Sequence, residues 1–176
     1  MQIVITLMGQ DRPDLIAELT RMIKDAKCAI LESRMTELGQ EFAAHMLVEG
    51  NWNHIVRLES LLEATAQKGN VRVGTMRCQE EEERKEEELI PYTVDVFAGD
   101  QPGNIHELAS FFTDRSIKIL DLSTSRYPAP YTGAPVFLAH MIVKIPSGMK
   151  IVSLRDEFLE FCDQLNLDAI LEPVKR

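Results

Sequence analysis

Hydrophobic and polar residues alternate at the start of the chain, and the alternation then gives way to a longer period. Single residues separate Ile3, Ile5 and Leu7, which predicts a strand with one buried face. The next apolar positions recur every three or four residues, which predicts a helix with one buried stripe: Leu15, Ile16, Leu19, Met22, Ile23 and Ala26. Two strands over residues 28–38 and 42–49, a second helix and a closing strand complete the unit.

The same order of elements occurs a second time. Residues 9–19 align with residues 98–108, with Asp, Pro, Ile, Glu and Leu in register, and residues 42–48 align with residues 137–143. We therefore predict an α+β fold with two ferredoxin-like βαββαβ modules, each a four-stranded antiparallel sheet with two helices on one face. The modules are predicted to span residues 1–79 and 91–176.

A charged segment separates the two copies. Residues 80–88 contain seven acids and two bases, within a chain of 176 residues and net charge −9. Like charges at this density repel one another and keep a segment in water. We predict a solvated acidic linker over residues 80–90, and an acidic docking segment is the alternative.

The composition excludes several classes of protein. A strongly acidic chain lacks the basic patch that phosphate neutralisation requires, so direct nucleic-acid binding is not expected. The apolar stretches are too short for a membrane span, and the three cysteines form no CxxC pair, which together predict a cytoplasmic protein. No catalytic fingerprint occurs, so we expect neither an enzyme nor a cofactor.

A Gly-x-Asp-x-Pro turn between the first strand and the first helix makes the unit similar to the ACT domain, a regulatory module that binds amino acids. With the segments at residues 32–42, 50–53 and 127–135, the chain resembles the glycine cleavage system transcriptional repressor family. The resemblance implies an amino-acid-sensing regulator, with glycine or a related metabolite as ligand and a DNA-binding activator as protein partner. A regulatory subunit that docks on an amino-acid metabolic enzyme is the alternative.

The two helix-opening turns are the candidate ligand sites, because the first N–H groups of a helix can hold a carboxylate. Where members of the resembled family have Pro-Gly, the first copy has Asp14 after its proline, and Asp14 would repel an anion. Gly103 lets a ligand approach the second turn closely, so the second turn is expected to bind better. If the turns bind nothing, Asp11 and Asp100 serve only as helix caps. The candidate residues are Gly9, Asp11, Arg12, Pro13, Asp14, Asp100, Gln101, Pro102, Gly103 and Asn104.

His45 and His140 occupy equivalent positions on the third strand of each copy. Neither has other ligands at metal spacing, so no metal site is predicted. The strand faces that carry the histidines also hold apolar residues such as Leu47 and Ile142. A sheet with one helical layer leaves that face open, so we expect a homo-oligomer, a dimer, or the other copy to cover it.

Overall fold

The computed structural model divides the chain into two units, Met1–Glu83 and Arg84–Arg176. The charged residues 80–88 assigned to the linker lie outside the described part, whereas Leu89 and Ile90, also assigned to it, belong to a strand. The structure describes residues 1–69, 71–78, 89–99, 101–129 and 132–174.

The first unit has the order strand, helix, strand, strand, helix, strand. Its sheet has the strand order β2-β3-β1-β4, and all the paired strands are antiparallel. The six elements are β1 (Gln2–Gln10), α1 (Leu15–Asp25), β2 (Ala29–Leu38), β3 (Glu41–Glu49), α2 (Trp52–Gln67) and β4 (Val71–Arg77).

The second unit repeats this topology with the strand order β6-β7-β5-β8. Its elements are β5 (Leu89–Gly99), α3 (Asn104–Thr113), β6 (Lys118–Pro128), β7 (Pro135–Pro146), α4 (Ile151–Gln164) and β8 (Asp168–Pro173). The predicted α+β fold of two βαββαβ modules is therefore confirmed. A register shift also recurs at the same place in both copies, between Ile30 and Glu32 and between Ile119 and Asp121.

Each unit has a hydrophobic core of its own. In the first unit the alternate residues Ile3, Ile5 and Leu7 of β1 are fully buried against the apolar stripes of α1 and α2. These positions are the ones that the period of two assigns to the inner face. The core fixes the ends of β1 and α1, and thus the path of the turn between them.

The second core is rich in phenylalanine. Phe111 and Phe112 of α3 pack against Phe158 of α4, with ring centroids 5.1 Å apart in both pairs. Phe161 extends the group, at 5.0 Å from Phe111. Aromatic rings at such separations add to the free energy gained from burial. The cluster holds the C-terminal end of α3 against α4.

The face of the first sheet away from the helices carries His45, as predicted. His45 is exposed, and its apolar neighbours Val4 and Leu47 are half-buried. Met8 and Met76 are 56% and 67% exposed. The covering of this face by another copy stays a prediction.

Candidate ligand-binding turns

The first turn links Gln10, the last residue of β1, to Leu15, the first residue of α1. The Asp11 backbone N–H donates to the Gln40 carbonyl oxygen over 3.2 Å, which ties the turn to the β2–β3 hairpin. Asp14 is the N-cap residue, and its side chain accepts no capping hydrogen bond. The prediction that Asp11 caps the helix is therefore wrong, because Asp11 lies three residues before the cap.

Arg12 pairs with two acids, Asp14 at the helix cap and Glu18 in the first turn of α1. Its Nη1 atom is 2.5 Å from the Asp14 Oδ2 atom, and its Nη2 atom pairs with the Glu18 carboxylate. Hydrogen bonds to Glu18 and then to Asp14 raise the pKa of the Arg12 guanidinium above its ordinary value. Arg12 therefore offsets one of the two negative charges, which weakens the repulsion expected from the sequence.

An open cleft of about 720 Å³, here called the turn cleft, lies beside the first turn. Gly9, Asp11 and Arg12 line it, so it includes three of the candidate residues. Pro13 is exposed and does not line it. Neighbouring elements add charged and apolar side chains to the wall: Glu41, Arg72, Leu38, Phe42 and Val71.

The second turn differs from the first at the helix cap. Gly103 is the N-cap residue of α3 and has the left-handed backbone angles φ 101° and ψ −19°. No side chain caps the helix there, and a Cβ atom built on Gly103 would meet no atom within 4 Å. Residues other than glycine adopt this conformation at a cost. The turn therefore presents open main chain at the start of a helix.

The other candidates of the second turn lie around Gly103. Gln101 and Pro102 are exposed. The Asn104 Nδ2 atom donates to the Gly99 carbonyl oxygen over 3.5 Å, so its side chain leans back toward β5. Asp100 lies outside the described residues.

Comparisons with known proteins agree with this architecture. Residues 1–76 match the family model of the ACT domain. Over 172 residues the chain is 26% identical to the glycine cleavage system transcriptional repressor of Escherichia coli (strain K12). This match covers 98% of the chain and 90% of the relative, and the repressor of Shigella flexneri gives the same values.

Two solved structures match nearly the whole chain. A protein provisionally named a glycine cleavage system transcriptional repressor has a TM-score of 0.73 at 27% identity, with 99% of this chain and 98% of that chain covered. An unknown protein from Galdieria sulphuraria has a TM-score of 0.77 at 22% identity and the same coverage, and it shows the fold alone. The first module is thus similar to the ACT domain, and the second module repeats its topology. The chain resembles the glycine cleavage system transcriptional repressors over almost its whole length.

The histidines of the two modules have different surroundings. His140 lies opposite Asp95 in the β5–β7 register, and its Nδ1 atom is 2.7 Å from the Asp95 Oδ1 atom. His45 lies opposite Thr6 in the β1–β3 register. The pairing of His140 with an acid was not predicted from the sequence, although the antiparallel register of β5 and β7 would have indicated it.

Sequence reasoning also missed Arg72 and Glu41 in the first module. Arg72 lies opposite Met8 in the β1–β4 register, and Glu41 lies opposite Gln10 in the β1–β3 register. Both strands flank β1 in a ferredoxin-like sheet, so their residues nearest the turn belong beside it. The pairing of these two strands with β1 was therefore the signal that could have placed Arg72 and Glu41 beside the turn.

Two absences apply to the residues that the structure describes. No group of three or more His, Cys, Asp or Glu side chains among them could hold a metal ion. None of the described helices combines the length and the apolar character needed to cross a membrane.

Proposed function

We propose that this protein is an amino-acid-sensing regulator that acts on transcription through a protein partner. The ligand is a small amino acid, glycine or a close relative, and the partner is a DNA-binding activator. The full-length similarity to proteins named as transcriptional repressors supports regulation. The net charge of −9 favours action through a protein over direct contact with DNA phosphates.

The uncapped start of α3 is the observation that carries the proposed site in the second module. Gly103 leaves open space over the main chain, and no side chain occupies the helix cap. The free N–H groups and the positive end of the helix dipole favour a ligand carboxylate there. The exposed Gln101 side chain can add a hydrogen bond to the ligand.

The turn cleft supports a second amino-acid site in the first module. Arg72 and Arg12 bring two cations to its wall, of which Arg12 is already paired with Asp14 and Glu18, and Asp11 and Glu41 bring two acids. An amino acid carries both a carboxylate and an ammonium group, so a wall with both signs of charge complements it. Because Arg12 offsets part of the acidic charge beside the first turn, we propose that the first module also binds ligand.

Ligand binding regulates only if it favours one arrangement of the protein over another. We propose that the amino acid binds the partner-competent form of the protein with a different affinity from the incompetent form. The coupling is reciprocal, so the partner must also change the affinity for the amino acid. Glycine titrations with and without the partner would measure this coupling.

A thermal-shift screen of the full chain against all amino acids tests the proposal. A ligand at about 100 times its dissociation constant stabilises the folded state by about 2.7 kcal/mol. We expect glycine or a close relative to raise the melting temperature. Gly103→Ala fills the space over the turn and should reduce that rise.

Gly133→Ala is the matched control. Gly133 also has a positive φ, 67°, and no atom within 4 Å of a built Cβ atom, but it lies outside the turn. Both substitutions strain the backbone at a positive φ, so both unliganded melting temperatures should fall, and the ligand response is taken relative to the unliganded value of each variant. A ligand response that is equal in the two variants would contradict the site, and no response to any amino acid would contradict the function.

The partner is tested separately by affinity capture with the full chain in the presence and absence of the ligand. We expect capture of a DNA-binding activator whose recovery depends on the amino acid. Capture of a biosynthetic enzyme instead would contradict the transcriptional role and would support direct control of a metabolic enzyme.

A further inference from the structure

The first module has another cleft, away from the strand side of the turn. This cleft, here called the α1–α2 cleft, lies between α1, the C-terminal end of α2 and the start of β4. It measures about 540 Å³, within the range of about 300–1,000 Å³ that is usual for small-molecule sites. Three basic side chains line it: Arg12, Arg21 and Lys68.

The positive charge in the α1–α2 cleft is only partly balanced. Arg12 pairs with Asp14 and Glu18, the two acids that line the same cleft. Arg21 and Lys68 make no ion pair within the part of the chain that the structure describes. Three cations and two acids therefore line the cleft, which leaves a net charge of +1 in a protein whose net charge is −9.

The other side chains that line the cleft are uncharged. Ala17 and Val71 supply apolar surface. The Thr65 hydroxyl donates to the Leu61 carbonyl oxygen over 3.0 Å, so its proton is already used within α2. Recognition in this cleft therefore depends on Arg21 and Lys68.

We propose that the α1–α2 cleft binds a small dianion, a phosphate monoester or a dicarboxylate, between Arg21 and Lys68. The planar fork of an arginine can hold two oxygens of one such group, and a lysine adds a point charge on the other side. Arg12 and Asp14 of the first turn also line the cleft. The proposal does not rest on amino-acid sensing, because the two residues that would hold the dianion, Arg21 and Lys68, belong to neither helix-opening turn.

The second module lacks this arrangement, which makes the site specific to the first. Ser110 occupies the position of Arg21 when residues 9–19 and 98–108 are aligned and the alignment is extended. The cleft between α3 and α4 is lined by one arginine and four acids: Arg115, Glu107, Asp114, Glu157 and Glu160. A dianion is repelled by such a lining, so we expect one dianion per chain.

Calorimetric titration of the full chain with glycerol 3-phosphate and with succinate tests the proposal. Both titrations use a buffer without phosphate and a constant ionic strength, and together they separate the phosphate from the dicarboxylate. We expect at least one of the two compounds to show saturable binding, with one molecule bound per chain. Arg21→Gln with Lys68→Gln should weaken it by at least about tenfold, because charge-assisted hydrogen bonds are lost.

Lys24→Gln with Arg57→Gln is the control pair. These substitutions remove the same charge from exposed positions of α1 and α2 that do not line the cleft. We expect the control pair to change the affinity by less than about twofold, since exposed charges at a distance are screened by salt. Equal weakening by both pairs, or no saturation with either dianion, would overturn the site.

The outcome is distinguishable from that of the proposed function. The Arg21→Gln, Lys68→Gln protein should keep its thermal response to the amino acid, and the Gly103→Ala protein should keep its affinity for the dianion. Loss of both responses from one pair of substitutions would show that the α1–α2 cleft is not a separate site.

Discussion

Cys162 is the most enclosed thiol of the chain, at 1% exposure within α4. Burial, with a smaller effect of Asp163, raises the pKa of the Cys162 thiol to about 12. Because the thiolate is the reactive form, we expect Cys162 to resist iodoacetamide at pH 8 while the protein is folded. Peptide mass spectrometry after timed labelling measures this, with the half-exposed Cys78 as the internal reference. Labelling of Cys162 as fast as Cys78 would contradict the enclosed position.

The same thiol gives a pH dependence of stability with a defined sign. The pKa in the folded state lies above the ordinary value of 9.0, so the folded state retains a proton that the unfolded state releases. The contribution to the free energy of unfolding is therefore complete below about pH 9 and is lost as the pH rises toward 12. Denaturant titrations should show a smaller alkaline loss in Cys162→Val than in the original protein.

The ion pair between Arg12 and Asp14 is a feature of the site that the residues taken one at a time do not predict. Asp14 was expected to repel a ligand, yet Arg12 pairs with it over 2.5 Å. Residues two positions apart do not face each other on a helix, so the spacing alone gives no reason to pair them. The non-helical turn brings the two side chains together, and its path depends on the hydrogen bond from Asp11 to Gln40.

At the scale of elements, the start of α2 has a cap that can be tested directly. The Asn51 Oδ1 atom accepts a hydrogen bond from the His54 backbone N–H over 2.9 Å. We expect Asn51→Ala to lower the free energy of unfolding by about 1 kcal/mol, because a helix N–H loses its partner. Urea denaturation measures the change. Asn53→Ala, at an exposed position inside α2, should be neutral or slightly stabilising.

The elements also show which strand features could be predicted: the predicted bounds of β2 and β3 lie within one residue of those observed, whereas the register shift in β2 was not expected. The strands β1 and β3 are buried on one face only, so their period of two is visible in the sequence. The edge strand β2 is exposed at nearly every residue, so burial leaves no pattern in it. Its register shift between Ile30 and Glu32 has no sequence signal for the same reason.

At the scale of the whole molecule, duplication predicts the fold better than it predicts the chemistry. The repeated pattern indicated two modules of the same topology, and both are present. The charged positions have diverged between the copies: Gly103 corresponds to Asp14, and Ser110 corresponds to Arg21. The copies can therefore have the same fold and still bind different ligands.

Because each module has its own core, a cavity in one core is expected to destabilise that module alone. Leu62 of α2 and Phe158 of α4 are both 0% exposed, and each belongs to the core of its own module. We expect Leu62→Ala to cost about 2–5 kcal/mol and Phe158→Ala about 3–5 kcal/mol, because each leaves a cavity. Hydrogen exchange followed by mass spectrometry should show lost protection in the substituted module alone. Equal loss in both modules would mean that they unfold as one cooperative unit, and a ligand bound to either would then stabilise the whole chain.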